Sequence, residues 1–324
     1  MIREHPHRLK AFLAKTTGIL LCVALLFTVF GLSVSSAAGA SGQEPQTTIR
    51  AEVGLVNIVL TAVDKKGRPV PGMKADDFEV FDNKRPQKIE FFSELGKTSE
   101  VPLTIALLID TSGSVKDKLE YEKATAAQFF KEILRPKKDL ALIIQFDSEV
   151  NLVQDFTQNY DALLDGLDSL KAGNSTSLYD AIYLAAEEKL KHETGRKVMV
   201  IVSDGEDTSS KVKKEEAIEA AQRSDVLIYG IGVQTMDAYF GDLKKFADET
   251  GGAFFSPHAR PEEIQAAFRS IQEDIQGQYS LAYSLNARKD GSFHTLDIRC
   301  KIRGVKIRAR KGYYASKATK QEPE

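Results

Sequence analysis

The sequence predicts an α/β chain: a doubly wound, mostly parallel sheet, with N- and C-terminal β segments that together form an Ig-like β-sandwich. Three observations predict it. Thr104–Ile109, Leu140–Phe146, Val198–Val202 and Val226–Val233 are nearly continuous apolar runs, as expected of strands buried on both faces. Helical patterns fall between most of these runs, so strand and helix alternate through the middle of the chain. Strand-like segments flank that middle, from Ile49 to Phe92 and from Tyr279 to Tyr314.

The elements follow in order. Arg3, His5, His7, Arg8, Lys10 and Lys15 precede an apolar run from Ile19 to Val34, which ends in small residues and Ala38-Gly39-Ala40. A positive start, an apolar centre and an A-x-A end predict a secretory signal peptide over 1–40. The alternative is an uncleaved anchor, which would tie the chain to a membrane. Residues 41–48 are polar and read as a linker, and 49–98 as the N-terminal β segment. There, Val53–Val63, Phe78–Phe81 and Ile89–Phe92 are strands, broken by Gly67, Pro69 and Pro86. Residues 101–276 form the α/β domain. Its helices are expected at Leu119–Leu134, Tyr160–Leu170, Leu178–Lys191, Met236–Thr250 and from Pro261 to Gln276, where Ile264, Ala267, Phe268, Ile271 and Ile275 make one stripe. A hairpin partner is expected at Val150–Val153. Residues 278–316 form the C-terminal β segment, with strands at Tyr279–Leu285, Thr295–Ile302 and Val305–Tyr314, and 317–324 is a disordered tail. Each β segment is marginal as a core alone, so the two are expected to fold together.

Composition narrows the function. With 44 basic and 46 acidic residues among 324, a formal net charge of −2 argues against nucleic acid as the main partner. Loss of the leader removes Cys22 and leaves Cys300, so no intrachain disulfide is expected despite export. Arg299, Lys301, Arg303, Lys306, Arg308 and Arg310 alternate along two strands; a hairpin would gather all six on one surface, read here as a solvated outer face. His258 and His294 are expected to be exposed loop residues.

The chemistry lies at Leu107-Leu108-Ile109-Asp110-Thr111-Ser112-Gly113-Ser114, a buried strand that ends in Asp-x-Ser-x-Ser. Asn174–Asp180 supplies Thr176 ahead of a helix, and Ile201–Gly205 supplies Asp204 after another buried strand. In a doubly wound sheet these oxygens fall at the carboxyl ends of the strands, where ligands bind. Two carboxylates and three neutral hydroxyls suit a hard divalent cation and leave it under-neutralised, open to an external anion. The same residues also have structural uses, the serines as helix caps and Asp204 as a turn former with Gly205.

The three segments, in this order, resemble the metal-ion-dependent adhesion site (MIDAS) of a von Willebrand factor A (VWA) domain. The resemblance implies that Ser112 and Ser114 coordinate an ion through their hydroxyls, that Asp110 and Asp204 act directly or through water, and that Thr176 does either according to state. The ion is usually Mg2+, with Mn2+ or Ca2+ as alternatives, and an acidic group on a partner completes the shell. In the family the last helix shifts between low- and high-affinity states. The loop resembles integrin β-subunit domains in Asp117, but Lys118 stands where the second acid of their adjacent ion site would be. Glu206 and Asp207 read as solvated loop acids. Asp76–Asp82 and Arg310–Tyr314 extend the resemblance to an exported bacterial, Acidobacteria-type family of VWFA-related proteins.

The expected function is metal-dependent binding or adhesion, at the periplasm, outer surface or outside the cell, to a protein or polymer that presents a carboxylate. The alternative is a scaffold or assembly factor of an envelope complex. A metal-dependent hydrolase fits less well, because no histidine or paired-carboxylate arrangement accompanies the strand ends. No enzymatic activity is expected.

Overall fold

Alternate residues of the central strand feed two different cores, which fixes the layers of the molecule. The computed structural model describes residues 54–113, 118–234, 238–285 and 291–315. The signal segment, the linker, Ser114, Asp117 and the C-terminal tail lie outside them. Strand β5 (Leu103–Asp110) sends Leu103, Ile105, Leu107 and Ile109 to one side and Ala106 and Leu108 to the other. Period-two alternation on a strand covered on both faces produces this division.

The strands of the central sheet, in chain order, are β5, β6 (Leu140–Phe146), β7 (Val150–Thr157), β8 (Arg196–Ser203), β9 (Val226–Gly232) and β10 (Phe254–Phe255). Their spatial order is β10-β9-β8-β5-β6-β7; β7 alone runs antiparallel, as the hairpin partner of β6. On one face pack α1 (Leu119–Ile133), α2 (Tyr160–Ser169) and α6 (Pro261–Gln276), through residues such as Phe129, Leu163, Phe268 and Ile271. On the other pack α3 (Leu178–Tyr183), α4 (Lys214–Arg223) and α5 (Gly241–Thr250), through Leu178, Ala217, Leu243 and Phe246. Local chemistry marks several ends: Asn159 caps α2 by accepting from the Asp161 amide at 2.9 Å, and Pro261 opens α6.

The flanking strands build two four-stranded antiparallel sheets around a third core that includes Ile58, Leu60, Phe78, Tyr279 and Tyr283. One sheet is β13-β1-β11-β4, from Lys306–Ala309, Gly54–Val63, Gln278–Leu285 and Phe91–Glu94. The other is β14-β12-β2-β3, from Gly312–Tyr314, Phe293–Cys300, Phe78–Asp82 and Arg85–Gln87. Chain from before and after the α/β domain interleaves in both: β1 pairs with β11 from Gly54↔Leu285 to Thr61↔Gln278, and β2 pairs with β12.

Several expectations are corrected. Helix α4 has no counterpart in the sequence prediction, although Lys-Glu-Glu-Ala-Ile-Glu-Ala-Ala-Gln-Arg is rich in strong helix formers. The helix expected over 178–191 keeps its span but changes winding, to a π segment at Leu184–Lys189 and a 3-10 turn at Leu190–His192. The strand expected at Ile89–Phe92 is shifted to β4, and β3 forms at Arg85–Gln87, where a break was expected; the two belong to different sheets. Val305–Tyr314 splits, β13 joining β1 and β14 joining β12. Strands β12 and β13 therefore form no ladder, and the six basic residues share no hairpin surface. Nor is their face simply solvated: Arg308 pairs with Asp274, and Arg310 with Asp225.

Candidate metal centre

Three loops meet at the carboxyl end of the sheet, and backbone chemistry ties each to the next. The first follows β5. Thr111 donates its amide to Phe146 O at 2.9 Å, and Asp110 Oδ1 accepts from the Ser112 amide at 2.8 Å. The second precedes α3. Gly173 N donates to Thr111 O at 2.6 Å, while Gly113 N donates to Asn174 O at 3.1 Å. Only glycine allows that approach at 173, since a Cβ there would lie 2.0 Å from Asp147 Oδ2. The third follows β8. Thr208 and Ser209 donate their amides to Thr176 O at 2.9 and 3.1 Å, Thr176 N donates to Thr208 Oγ1 at 2.9 Å, and Ser203 Oγ donates to Asp110 Oδ2 at 2.6 Å. Ser203 accepts in turn from the Gly205 amide at 2.9 Å.

The expected site residues that are described are all buried here: Asp110, Ser112, Thr176 and Asp204. Ser114 lies outside the described residues. Asp204 Oδ1 is enclosed with no hydrogen-bond partner. Burial pushes the Asp110 carboxyl up to about 6, against the pull of its Ser203 and Ser112 bonds, and the charge of Asp204 adds to the rise. Glu122, on α1, is 1% exposed with neither carboxylate oxygen partnered. Burial first, then the field of Asp110, raises it to about 8.

Negative charge is thus buried at this end without enough donors to satisfy it. A divalent cation would compensate such a set. Among the described residues, no group of three His, Cys, Asp or Glu is arranged to hold a metal. A cation here would need the hydroxyls of Ser112 and Thr176 beside the carboxylates of Asp110 and Asp204.

Sequence reasoning missed Ser203, Thr208 and Glu122. Glu122 had a signal: with Leu119, Ala126 and Phe129 it lies on the inward stripe of α1. Asp207 is no solvated acid, since it accepts from the Tyr179 amide at 3.2 Å and from Ser210 Oγ at 2.5 Å. Lys118, in the place of an adjacent-site acid, donates Nζ to Gln234 O at 3.3 Å. Away from this end, His294 is 7% exposed rather than a surface loop residue, with Nδ1 at 2.7 Å from Asp82 Oδ1. His258 is exposed, as expected.

A protein from Borreliella burgdorferi, described only as uncharacterized, is 22% identical over 192 residues, 55% of this chain and 56% of that protein. The chain therefore spans little more than half the length of that relative. Among solved structures, the vWF domain of the type V pili tip protein Mfa5 from Porphyromonas gingivalis aligns with a TM-score of 0.47 and 16% identity, over 55% of this chain and 96% of that one. Proximal thread matrix protein 1 from the mussel byssus, with a zinc-occupied MIDAS motif, aligns at 0.49 and 15%, over 57% and 48%. The model of the von Willebrand factor type A domain matches residues 104–269, just over half of the chain, and covers β5 through most of α6. The chain belongs to the von Willebrand factor type A domain family.

Proposed function

We propose that the protein is an exported, divalent-metal-dependent binding module that engages an acidic group on a protein or polymer partner. The observation that carries this reading is the buried, partnerless Oδ1 of Asp204 in the field of Asp110, at the end of a rigid sheet. Asp110, Ser112, Ser114, Thr176 and Asp204 would hold the ion, Mg2+ by preference and Mn2+ or Ca2+ as alternatives. When bound, the ion supplies an under-neutralised positive centre for a partner carboxylate. The chain's own residues do the rest. Ser203 and the Ser112 amide orient the Asp110 carboxylate, and the Thr176–Thr208 clamp holds the second loop against the third. Export rests on the leader pattern of residues 1–40. In the described residues no helix is long and apolar enough to cross a membrane.

The test is calorimetric titration of residues 41–324 with Mg2+ and Mn2+, wild type beside Asp110→Ala and Ser112→Ala, with circular dichroism to verify the fold. Binding lost in both folded variants supports the metal face, and an EDTA-reversible pull-down then isolates the partner. A partner captured equally in EDTA would favour the scaffold role and overturn metal-dependent recognition.

A further inference from the structure

We propose that the amino end of the same sheet, where it meets the flanking β-sandwich, is a binding site for a small tetrahedral oxyanion of the phosphate type. Strand β8 opens with Arg196 and Lys197, and its register sets Lys197 beside Val226 of β9. Arg310, just past β13, reaches the same place from the sandwich. With Asn57, Gln222 and Asp225, Lys197 and Arg310 line a cavity of about 120 Å³. At about 30 Å³ per water, this is room for roughly four waters or for one oxyanion.

The charges in this cavity do not balance. Arg310 pairs with Asp225 and donates to Asn57 O at 2.8 Å, and its Nε is buried without a partner. Arg196, the neighbour of Lys197 along β8, leaves the opposite face of the sheet with Leu103; it is 4% exposed and spends one guanidinium nitrogen on neutral acceptors: Ile275 O at 2.7 Å, Leu95 O at 3.1 Å and Gln278 Oε1 at 3.3 Å. Its Nε, too, is buried and bare. Lys197 is 9% exposed, and among the described residues its ammonium has no hydrogen-bond or ion-pair partner. Glu193 lies near enough to favour the lysine's charge but forms no pair with it, while Arg310 opposes that charge. Two cations, Lys197 and Arg310, therefore share one carboxylate, Asp225, on the cavity wall.

Buried cations are ordinarily paired, because desolvation penalises a bare charge. Burial accordingly pulls Lys197 below the usual lysine range and Arg196 and Arg310 down to about 10. An oxyanion would supply the missing charge and several acceptors at once, which suits guanidinium and ammonium donors converging from separate elements. It would also bridge β8 to Arg310 and brace the α/β domain against the sandwich.

The test uses the full chain in phosphate-free buffer, with inorganic phosphate and sulfate as probes and chloride at matched ionic strength as control. Thermal denaturation and calorimetry are read for the wild type, Lys197→Met, and Lys306→Met as an exposed basic control. The expected result is a calorimetric signal and a rise in Tm of several degrees with millimolar phosphate, unchanged in Lys306→Met. In Lys197→Met, phosphate binding weakens about tenfold or more, and the variant keeps its fold and its Tm without phosphate within about a degree or two of wild type. An equal phosphate response in wild type and Lys197→Met would reduce the effect to general salting and overturn the site. Absence of any heat in the wild type would overturn it without recourse to a variant. Neither outcome bears on the metal centre at the opposite end.

Discussion

One strand, β8, carries opposite problems at its two ends. It begins with Arg196 and Lys197 and runs out through Ser203 into Asp204, about 25 Å away at roughly 3.3 Å per residue. At its carboxyl end, carboxylates are buried with an oxygen unpartnered; at its amino end, cations are buried with nitrogens unpartnered. The difference lies in how each end is walled. Loops wall the carboxyl end, so the ion proposed there could be shared with a partner in solution. The sandwich closes the amino end, so a ligand there would be internal. Uncompensated charge is tolerated at both because the strand between them is rigid, apolar and covered on both faces.

Substitutions at each end test this contrast. The largest effect is expected at a compensated charge. Asp274 is 3% exposed and depends on Arg308, so Arg308→Ala should cost about 3–5 kcal/mol in chemical denaturation by stranding a buried carboxylate. Arg308→Met with Asp274→Leu should recover most of that loss. A small cost for Arg308→Ala would show that this junction does not need its charges balanced, and would weaken the contrast with Lys197.

Next comes the carboxyl end itself. Asp204→Ala should lower Mg2+ affinity about a hundredfold or more, more than an outer-shell change would; titration of the folded variant reads it directly. Gly173→Ala should cost about 1–3 kcal/mol, because the new methyl overlaps the Asp147 carboxylate. It should also weaken metal binding if the loop ties matter. Unchanged affinity in that variant would mean that the second loop contributes nothing to the site.

The pH dependence has a definite sign. Asp110 and Glu122 titrate near 6 and 8 in the fold against ordinary values of 3.8 and 4.5. The folded, metal-free state therefore holds protons that the unfolded chain has already released. That stability is complete below about pH 4 and is lost as pH rises through 6 and then 8. Thermal denaturation in EDTA should show Tm falling from pH 5 to pH 9 on this account, Mg2+ should reverse the fall, and Glu122→Gln should flatten its upper part. The smallest effect is expected at His258, whose exposed ring meets Glu263. His258→Ala should stay within about 0.5 kcal/mol of wild type.

Much of this could be read from residues alone. Apolar runs buried on both faces and alternating helices specified the central sheet, because period and composition are local properties. Asp110, Ser112 and Thr176 were legible because strand ends and helix starts place them at one end of such a sheet. Helix α4 was within reach too, since its helix formers were there to be weighed. Strand partnership was not. Whether 305–314 is one strand or two depends on β1 and β12, which lie far away in the sequence.

The sequence by itself determined the alternation of strand and helix, the oxygen-rich strand ends and the apolar faces, since each follows from nearby residue types. Tertiary structure alone decided which charges find partners. Arg308 meets Asp274 while Lys197 meets no partner among the described residues, and His294 reaches Asp82 across the sandwich core. A side chain's solvation depends on what the fold brings within a few ångströms of it, and no local pattern in the chain encodes that.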